Sequence, residues 1–277
     1  MVAISAAQVK SLRETTGLPM MDCKQALTEC NGDAEAAIRW LRERGAQVLN
    51  KRSDRETAFG RFGVFTSFDP PVGTMVELKC ESRPVTQNDE FIQLANDLAR
   101  QLATGPGAAT ADELLDQPSP SKPGTTLRQQ KDDLFNRIRE VFNVGRLVRI
   151  DGACGGYSHN ATTVAGVLVE VAGGNPDLAK DVCMHIAAMR PLALGREDLD
   201  PAEIDKERAI LREAALKEGK PENIVDKMVE GRLRNFFAEK VLLEQQFVKG
   251  DKVTVGKMAA QQGMTLKRFV HWELGQT

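Results

Sequence analysis

An α+β fold with a helical module at its amino end is predicted for this 277-residue chain by three observations. Residues 1–46 hold short helix patterns separated by specific caps. Period-two apolar alternation then occurs twice, each time followed by an amphipathic helix pattern. A charged, helix-rich stretch at 199–240 interrupts the second of these units. The expected core is therefore two similar antiparallel-sheet-plus-helix subdomains, with an inserted antiparallel helical hairpin.

The amino-terminal helices are marked by their punctuation. Ser5-Ala6-Ala7-Gln8 has the form of a capping box, Val9 and Leu12 follow at core spacing, and Gly17 supplies a left-handed stop. Pro19 suits the first turn of a second helix, which carries Met20, Met21, Cys23, Ala26, Leu27 and Cys30. Asn31-Gly32-Asp33 is a turn ending in an N-cap, and Ala34, Ala37, Ile38 and Leu41 line a third helix that ends before Gly45. Adjacent methionines are either core filler or adaptable partner contacts, and spacing alone leaves both open.

Leu12–Gly17, Met20–Lys24, Ala26-Leu27 and Asn31–Asp33 together resemble the amino-terminal signature of the bacterial elongation factor Ts family. The resemblance implies a ubiquitin-associated-like domain over 1–46 and a role as guanine nucleotide exchange factor. The implied partner is elongation factor Tu, in its GDP-bound and nucleotide-free forms. It also moves Met20, Met21 and Lys24 toward partner binding.

Composition limits the alternatives. Formal charge is −2 with 27% charged residues of mixed sign, so nothing points to direct nucleic-acid binding or an acidic tail. The five cysteines, Cys23, Cys30, Cys80, Cys154 and Cys183, are odd in number and form no C-x-x-C pair. Neither a zinc ribbon nor a disulfide framework is indicated. Met1-Val2-Ala3-Ile4 lacks a basic leader, and no apolar run approaches a membrane span. A cytoplasmic location without membrane contact is expected, and the sequon Asn160-Ala161-Thr162 then has no meaning.

Lys51-Arg52-Ser53-Asp54-Arg55-Glu56 is polar and reads as part of a linker, 47–56. Phe62, Val64, Thr66 and Phe68 alternate, Asp69–Gly73 turns, and Val76, Leu78 and Cys80 alternate again: a hairpin. Phe91, Leu94, Ala95, Leu98, Ala99 and Leu102 give a helix packed on it. Gly105–Gly124 reads as an exposed excursion with a short helix near Ala111–Leu115, and Leu134, Ile138 and Val141 suggest another helix. This completes an amino-terminal core subdomain, 57–145.

The plan then repeats. Leu147, Val148 and Ile150 with Val164, Val167 and Val169 suggest a second hairpin, and Leu178, Val182, Ile186 and Met189 a second helix. The carboxy-terminal subdomain takes 146–198 and 241–277. Between its parts, Pro201–Leu216 and a helix carrying Val225, Met228, Val229, Leu233, Phe236 and Phe237 must run antiparallel across Gly219-Lys220-Pro221 and can pack as a short coiled coil. Gly256, Ala259, Phe269 and Leu274 close the core. Gly219–Pro221, Met228–Arg232 and Gln246–Val248 resemble the same family's helical hairpin and its exit. Longer members add a carboxy-terminal helical module that contacts elongation factor Tu. This chain reads as a short form without it, so that contact is not carried over.

No catalytic constellation competes. His159, His185 and His271 form no zinc-protease pattern, and no P-loop occurs. Gly152–Gly156 lacks dinucleotide-binding spacing and reads as a tight turn. Cys23 has Lys24 beside it but sits on a helix face, where thiols mostly act as small hydrophobes. No catalytic residue, cofactor or metal is expected; an exchange factor acts by binding, without covalent chemistry.

Two segments carry the resemblance into function. The family's Cys-Glu-Thr-Asp-Phe-Val loop, whose acidic and aromatic side chains disturb the partner's magnesium site, is here Cys80-Glu81-Ser82-Arg83-Pro84-Val85. Asn88-Asp89-Glu90-Phe91 stays in register, but Arg83 reverses a charge and Pro84 replaces a ring. Ser82, Arg83, Pro84 and Val85 are thus the implied magnesium-dislocation residues, unless the segment is only a strand-to-helix loop. Tyr157-Ser158-His159 matches the family's Tyr-x-His turn toward the partner's phosphate loop, with Asn160 for the usual glycine. The rival readings are a diverged paralogue that binds elongation factor Tu but exchanges poorly, and a ubiquitin-associated-like adaptor for another protein. The hairpin leaves a homodimer or 2:2 complex open.

Overall fold

The computed structural model describes residues 3–52, 54–161, 163–219, 221–250 and 252–276, without the side chain of Asn223. Met1, Val2, Ser53 of the linker, Thr162 of the sequon, Lys220 of the helical-hairpin turn, Asp251 and Thr277 lie outside the described residues. The chain divides into two units: Met1–Val64 with Met75–Val148 and Leu274–Thr277, and Phe65–Thr74 with Arg149–Glu273.

The first unit opens with α1 (Ala6–Thr16), α2 (Met20–Glu29) and α3 (Ala34–Asn50). Ser5 accepts from the Gln8 N–H while the Gln8 side chain accepts from the Ser5 N–H at 2.9 Å, a complete capping box. Gly17 ends α1 at φ 69°, and Asp33 caps α3 by accepting from the Ala36 N–H at 3.0 Å. Val9, Leu12, Leu18, Cys23, Ala26, Leu27, Ala37 and Leu41 form the small core. Contrary to expectation, α3 does not stop before Gly45 but runs to Asn50. Gly45 is buried mid-helix against α6 (Leu127–Ile138), where a Cβ would lie 2.0 Å from Asn136 Oδ1. The glycine permits a close helix crossing; it is not a stop signal.

β1 (Phe59–Phe68), β2 (Pro71–Cys80) and β3 (Phe142–Ile150) form an antiparallel sheet in that order. The expectation that Leu147–Ile150 pairs with Val164–Val169 is corrected here. Those residues belong to β3, which returns after the helices to lie beside β2; alternation reports a half-buried strand but not its partner. Buried Glu77 on β2 secures β3, accepting from the Arg146 N–H at 3.2 Å and from Arg146 Nη2 at 2.9 Å. α4 (Asp89–Thr104), capped by Asn88, buries Phe91, Leu94, Ala95, Leu98, Ala99 and Leu102. Its backbone approaches the sheet so closely that a Cβ on Gly63 would lie 1.9 Å from the Ala95 carbonyl oxygen.

The 105–124 excursion contains α5 (Ala111–Leu115) as expected, but it is pinned rather than simply exposed. Leu114, Leu115 and Ser119 are buried. Buried Asp97 on α4 accepts from Gln93 Nε2 at 2.9 Å, from Gln130 Nε2 at 2.8 Å and from the Ser121 hydroxyl, while Ser119 Oγ donates to Gln130 Oε1 at 2.8 Å. Three donors satisfy the carboxylate, which is how a buried charge is tolerated.

In the second unit, β4 (Cys154–Asn160), β5 (Val164–Gly173) and β6 (Met264–Glu273) form an antiparallel sheet with β5 central, pairing Tyr157 with Val167 and Val169 with Phe269. α7 (Pro176–Met189), again capped by asparagine, packs on it, and a Cβ on Gly155 would lie 2.4 Å from the Ala179 carbonyl carbon. Gly152 lies in the short bend between β3 and β4, as the tight-turn expectation had it, whereas Gly155 and Gly156 are already in an edge strand, where Gly155 admits a helix. Val167, Val169, Val171, Val182, Ile186, Val255 and Leu266 fill the core. α8 (Pro201–Lys217) and α9 (Glu222–Lys240) pair Arg212 with Asp226 and Arg208 with Glu230, a descending register that makes them antiparallel. Ala215, Val225, Val229 and Leu233 form the hairpin's own seam. α10 (Val255–Gln261) leads into β6.

At the hairpin's exit His185 is buried. Its Nδ1 accepts from the Val248 N–H at 3.3 Å, which leaves the proton on Nε2 to donate to Gln245 Oε1 at 2.9 Å. Burial lowers its pKa from the usual 6.5, the Gln245 hydrogen bond opposing. The unfolded chain therefore binds a proton before the native one does, and stability is lost as pH falls through about 6.5 toward the folded value. His271 shifts in the same direction, through burial first, with Glu273 opposing and Arg190 assisting.

Two outcomes are expected. Denaturant unfolding of Asp97→Ala should show a loss of about 2–4 kcal/mol, since Gln130, Ser121 and Gln93 lose their acceptor. Denaturation midpoints measured at pH 7.5 and pH 5.5 should fall on acidification, and His185→Gln should make that fall shallower without abolishing it.

Candidate partner interface

The Cys80–Val85 segment is not a plain loop. After Cys80 the chain enters a 3₁₀ turn at Pro84–Gln87, with Arg83 at its N-cap and its carbonyl accepting from the Thr86 N–H at 3.1 Å and hydroxyl at 2.7 Å. Proline suits the first position of such a turn. The Glu140 carboxylate receives the Ser82 N–H at 3.0 Å on one oxygen and the Ser82 hydroxyl at 2.6 Å on the other. Arg61 Nη1 donates to the Thr86 carbonyl at 3.0 Å, and burial lowers the Arg61 pKa. Glu81 turns back into the chain, accepting from the Val141 N–H at 2.8 Å and from Arg55 Nη1 at 3.0 Å.

Among the implied dislocation residues, Arg83 and Pro84 are exposed, Ser82 is half-buried, and Val85 is only 8% exposed. Val85, implied as a partner contact, is thus buried and anchors the turn. The Arg83 guanidinium has no ion pair or hydrogen bond among the described residues. The turn is a braced platform presenting one cation and one rigid ring.

On α2, Met20 is 52% and Met21 72% exposed, and Lys24 is exposed beside them. The choice left open by spacing is decided against core filling: Cys23, Ala26 and Leu27 do that work on an adjoining face. Asp22 lies between these faces and accepts from Arg139 Nη2 at 2.5 Å.

Tyr157 and His159 belong to the second unit, and they lie on strand β4 rather than on a turn. Asn160 pairs with Val164 as the strand's last residue and has no left-handed backbone, so the expected turn is corrected. Alternation places Tyr157 and His159 on one face. The Tyr157 hydroxyl and His159 Nδ1 are 2.9 Å apart. With the ring proton on Nε2, the phenol donates to Nδ1 and the imidazole keeps Nε2–H for another acceptor.

Other chemistry finds little support. Burial, with Glu140 contributing, raises the Cys80 pKa to about 12; burial, with Glu170 contributing, raises Cys154 to about 12, and burial pushes Cys183 higher. Such thiols are not nucleophiles. Cys23 is buried and points its thiol at the Leu18 carbonyl. Among the described residues no group of three or more His, Cys, Asp or Glu side chains is arranged to hold a metal, and no helix is long and apolar enough to cross a membrane. Sequence reasoning missed Arg61, Glu140 and Arg139, because their importance lies in contacts far along the chain that no local pattern encodes.

Comparison with known proteins agrees with the amino-terminal signature. Residues 84–276 match the family described as Elongation factor TS. The chain is 41% identical to Elongation factor Ts of Methylococcus capsulatus, 39% to that of Thioalkalivibrio sulfidiphilus and 42% to that of Clostridium botulinum. In each case 99% of this chain and 93% of the relative are covered.

The burial pattern separates anchors from presented side chains. Val85→Ala should lower unfolding stability by about 1–2 kcal/mol, whereas Arg83→Ala and Met21→Ala should each stay within about 0.5 kcal/mol. Chemical denaturation of the three variants checks this.

Proposed function

This chain belongs to the elongation factor Ts family, and on that premise we propose that it is a guanine nucleotide exchange factor for elongation factor Tu, acting in the cytoplasm during protein synthesis. The observation that carries the reading is similarity along 99% of the chain to proteins of that name. The proposed organisation is a ubiquitin-associated-like module over 1–46 joined through 47–56 to a two-subdomain core, 57–145 and 146–198 with 241–277, from which the hairpin 199–240 projects. The last turns of α3 run into the joint.

Exchange requires no covalent step. A factor that binds the empty partner more tightly than the GDP-loaded one weakens GDP by the same ratio. A thousandfold effect corresponds to about 4 kcal/mol of differential binding. Met20 and Met21 supply adaptable apolar contact, with Lys24 adding charge. Arg83 and Pro84, held out on their braced turn, approach the partner's magnesium site, where a guanidinium competes with the cation. His159, oriented by Tyr157, acts on the phosphate-loop side through Nε2.

The exposed Arg83-Pro84 pair also supports a second reading. Arginine offers donors only, so it cannot reproduce an acidic side chain as an acceptor. A paralogue that binds elongation factor Tu without rapid exchange would carry such a change.

Release of fluorescent GDP from the cognate elongation factor Tu separates these. Acceleration by orders of magnitude is expected; complex formation without acceleration favours the paralogue, and no complex defeats both readings. Arg83→Asp combined with Pro84→Phe should raise exchange on a partner of conventional sequence. A fall would mean that the cognate partner carries matching changes.

A further inference from the structure

We infer that Arg139 and Glu140, at the junction of α6 and β3, are positioning residues that hold the docking helix α2 and the Ser82–Gln87 turn as one rigid surface. The two neighbours in sequence reach the two elements separately. Arg139 Nη2 donates to Asp22 on α2 at 2.5 Å, and the Arg139 carbonyl accepts from Arg52 Nη1, just after α3, at 3.0 Å. Glu140 takes both donors of Ser82, at 2.6 and 3.0 Å, and the next amide, of Val141, donates to Glu81 at 2.8 Å. Every tie involves an ionised group, the stronger class of hydrogen bond.

The backbone supplies an independent sign. Arg139 stands at φ 66°, ψ 22°, in the left-handed region, as the residue that ends α6. Gly17 meets the same need at the end of α1 with no side chain, at φ 69°. A residue with a Cβ is disfavoured there and persists where contacts over-determine it. Helix termination alone calls for glycine at 139, so the guanidinium is what the arginine adds. The inference uses the exchange-factor reading only to say what the surface is for.

Arg139→Gly is the clean variant, because it relaxes the backbone while cutting the Asp22 tie. It should raise the half-saturating concentration for GDP release about tenfold, the scale of one charge-assisted hydrogen bond. Its maximal rate should stay within about twofold and its unfolding midpoint should not fall. Arg139→Lys, which can still reach Asp22 with a charge, should recover most of the loss. Glu140→Ala, which removes the acceptor for both the Ser82 amide and its hydroxyl, should instead lower the maximal rate about tenfold.

A readout without any partner isolates the geometry: spin-label distances between positions 24 and 87 in a Cys30→Ser background. The distribution should be narrow in the parent and broad in Arg139→Gly. Equal widths, unchanged half-saturation, or a loss of activity that merely follows a lowered midpoint would overturn the inference. A distribution that is narrow in the parent and broad in Arg139→Gly, in a protein that does not accelerate GDP release, would leave the tether standing and remove the exchange reading instead.

Discussion

Glu140 receiving both the amide and the hydroxyl of Ser82 is the contact on which the presented surface of the first unit depends. Without it, the chain after Cys80 would have to choose among many loop conformations, and ordering a residue costs about 1–2 kcal/mol of backbone entropy. With it, the turn begins from a fixed point. Arg61 closes the far end at Thr86, and buried Val85 fills the space beneath. Apolar burial builds this unit, but polar ties of high geometric demand set where its outward side chains stand. Glu77 with Arg146 fixes the third strand, and Asp97 pins the excursion after α4.

The two sheets follow one plan. Each is a hairpin, then a helix capped by asparagine, then further helices, then a third strand beside the second of the hairpin. In each, a glycine on the first strand admits the helix backbone: Gly63 opposite Ala95 and Gly155 opposite Ala179. A side chain at either glycine would push the helix away and open the core beneath it. The extra helices enter at the same point of both plans, between the packed helix and the last strand. The excursion with α5 and α6 occupies it in one, and the α8–α9 hairpin in the other. Insertion there leaves the strand pairings intact.

Local chemistry was legible in the sequence, and contacts distant along the chain were not. The capping box at Ser5, the left-handed stop at Gly17, the cap at Asp33 and the short helix at Ala111–Leu115 stand where their residue types required. Gly45 was misread because a stop and a close crossing call for the same residue, and only Asn136 on another helix distinguishes them. The strand at Leu147–Ile150 was recognised as a strand but assigned to the wrong sheet, since alternation carries no record of its neighbour. Tyr157-Ser158-His159 sits on an edge strand where the resemblance implied a turn, since a motif does not record the strand it pairs with, and Gly155 just before it admits α7. In the Ser82–Val85 segment, the frame was readable from Cys80, Asn88 and Phe91, whereas the inward turn of Val85 and the hold exerted by Glu140 and Arg61 were not.

An exchange factor stands or falls on a difference between two affinities, since contacts made equally to both forms of the partner change nothing. Under the proposed function, the braced turn with Arg83 and Pro84 and the methionines of α2 in the first unit, and the imidazole of His159 in the second, each supply contacts that would fit one form better. Isothermal titration calorimetry of this chain with nucleotide-free and with GDP-bound elongation factor Tu measures that difference directly. The account predicts binding to the empty form tighter by about a thousandfold, or about 4 kcal/mol. Equal affinity for the two forms would contradict it.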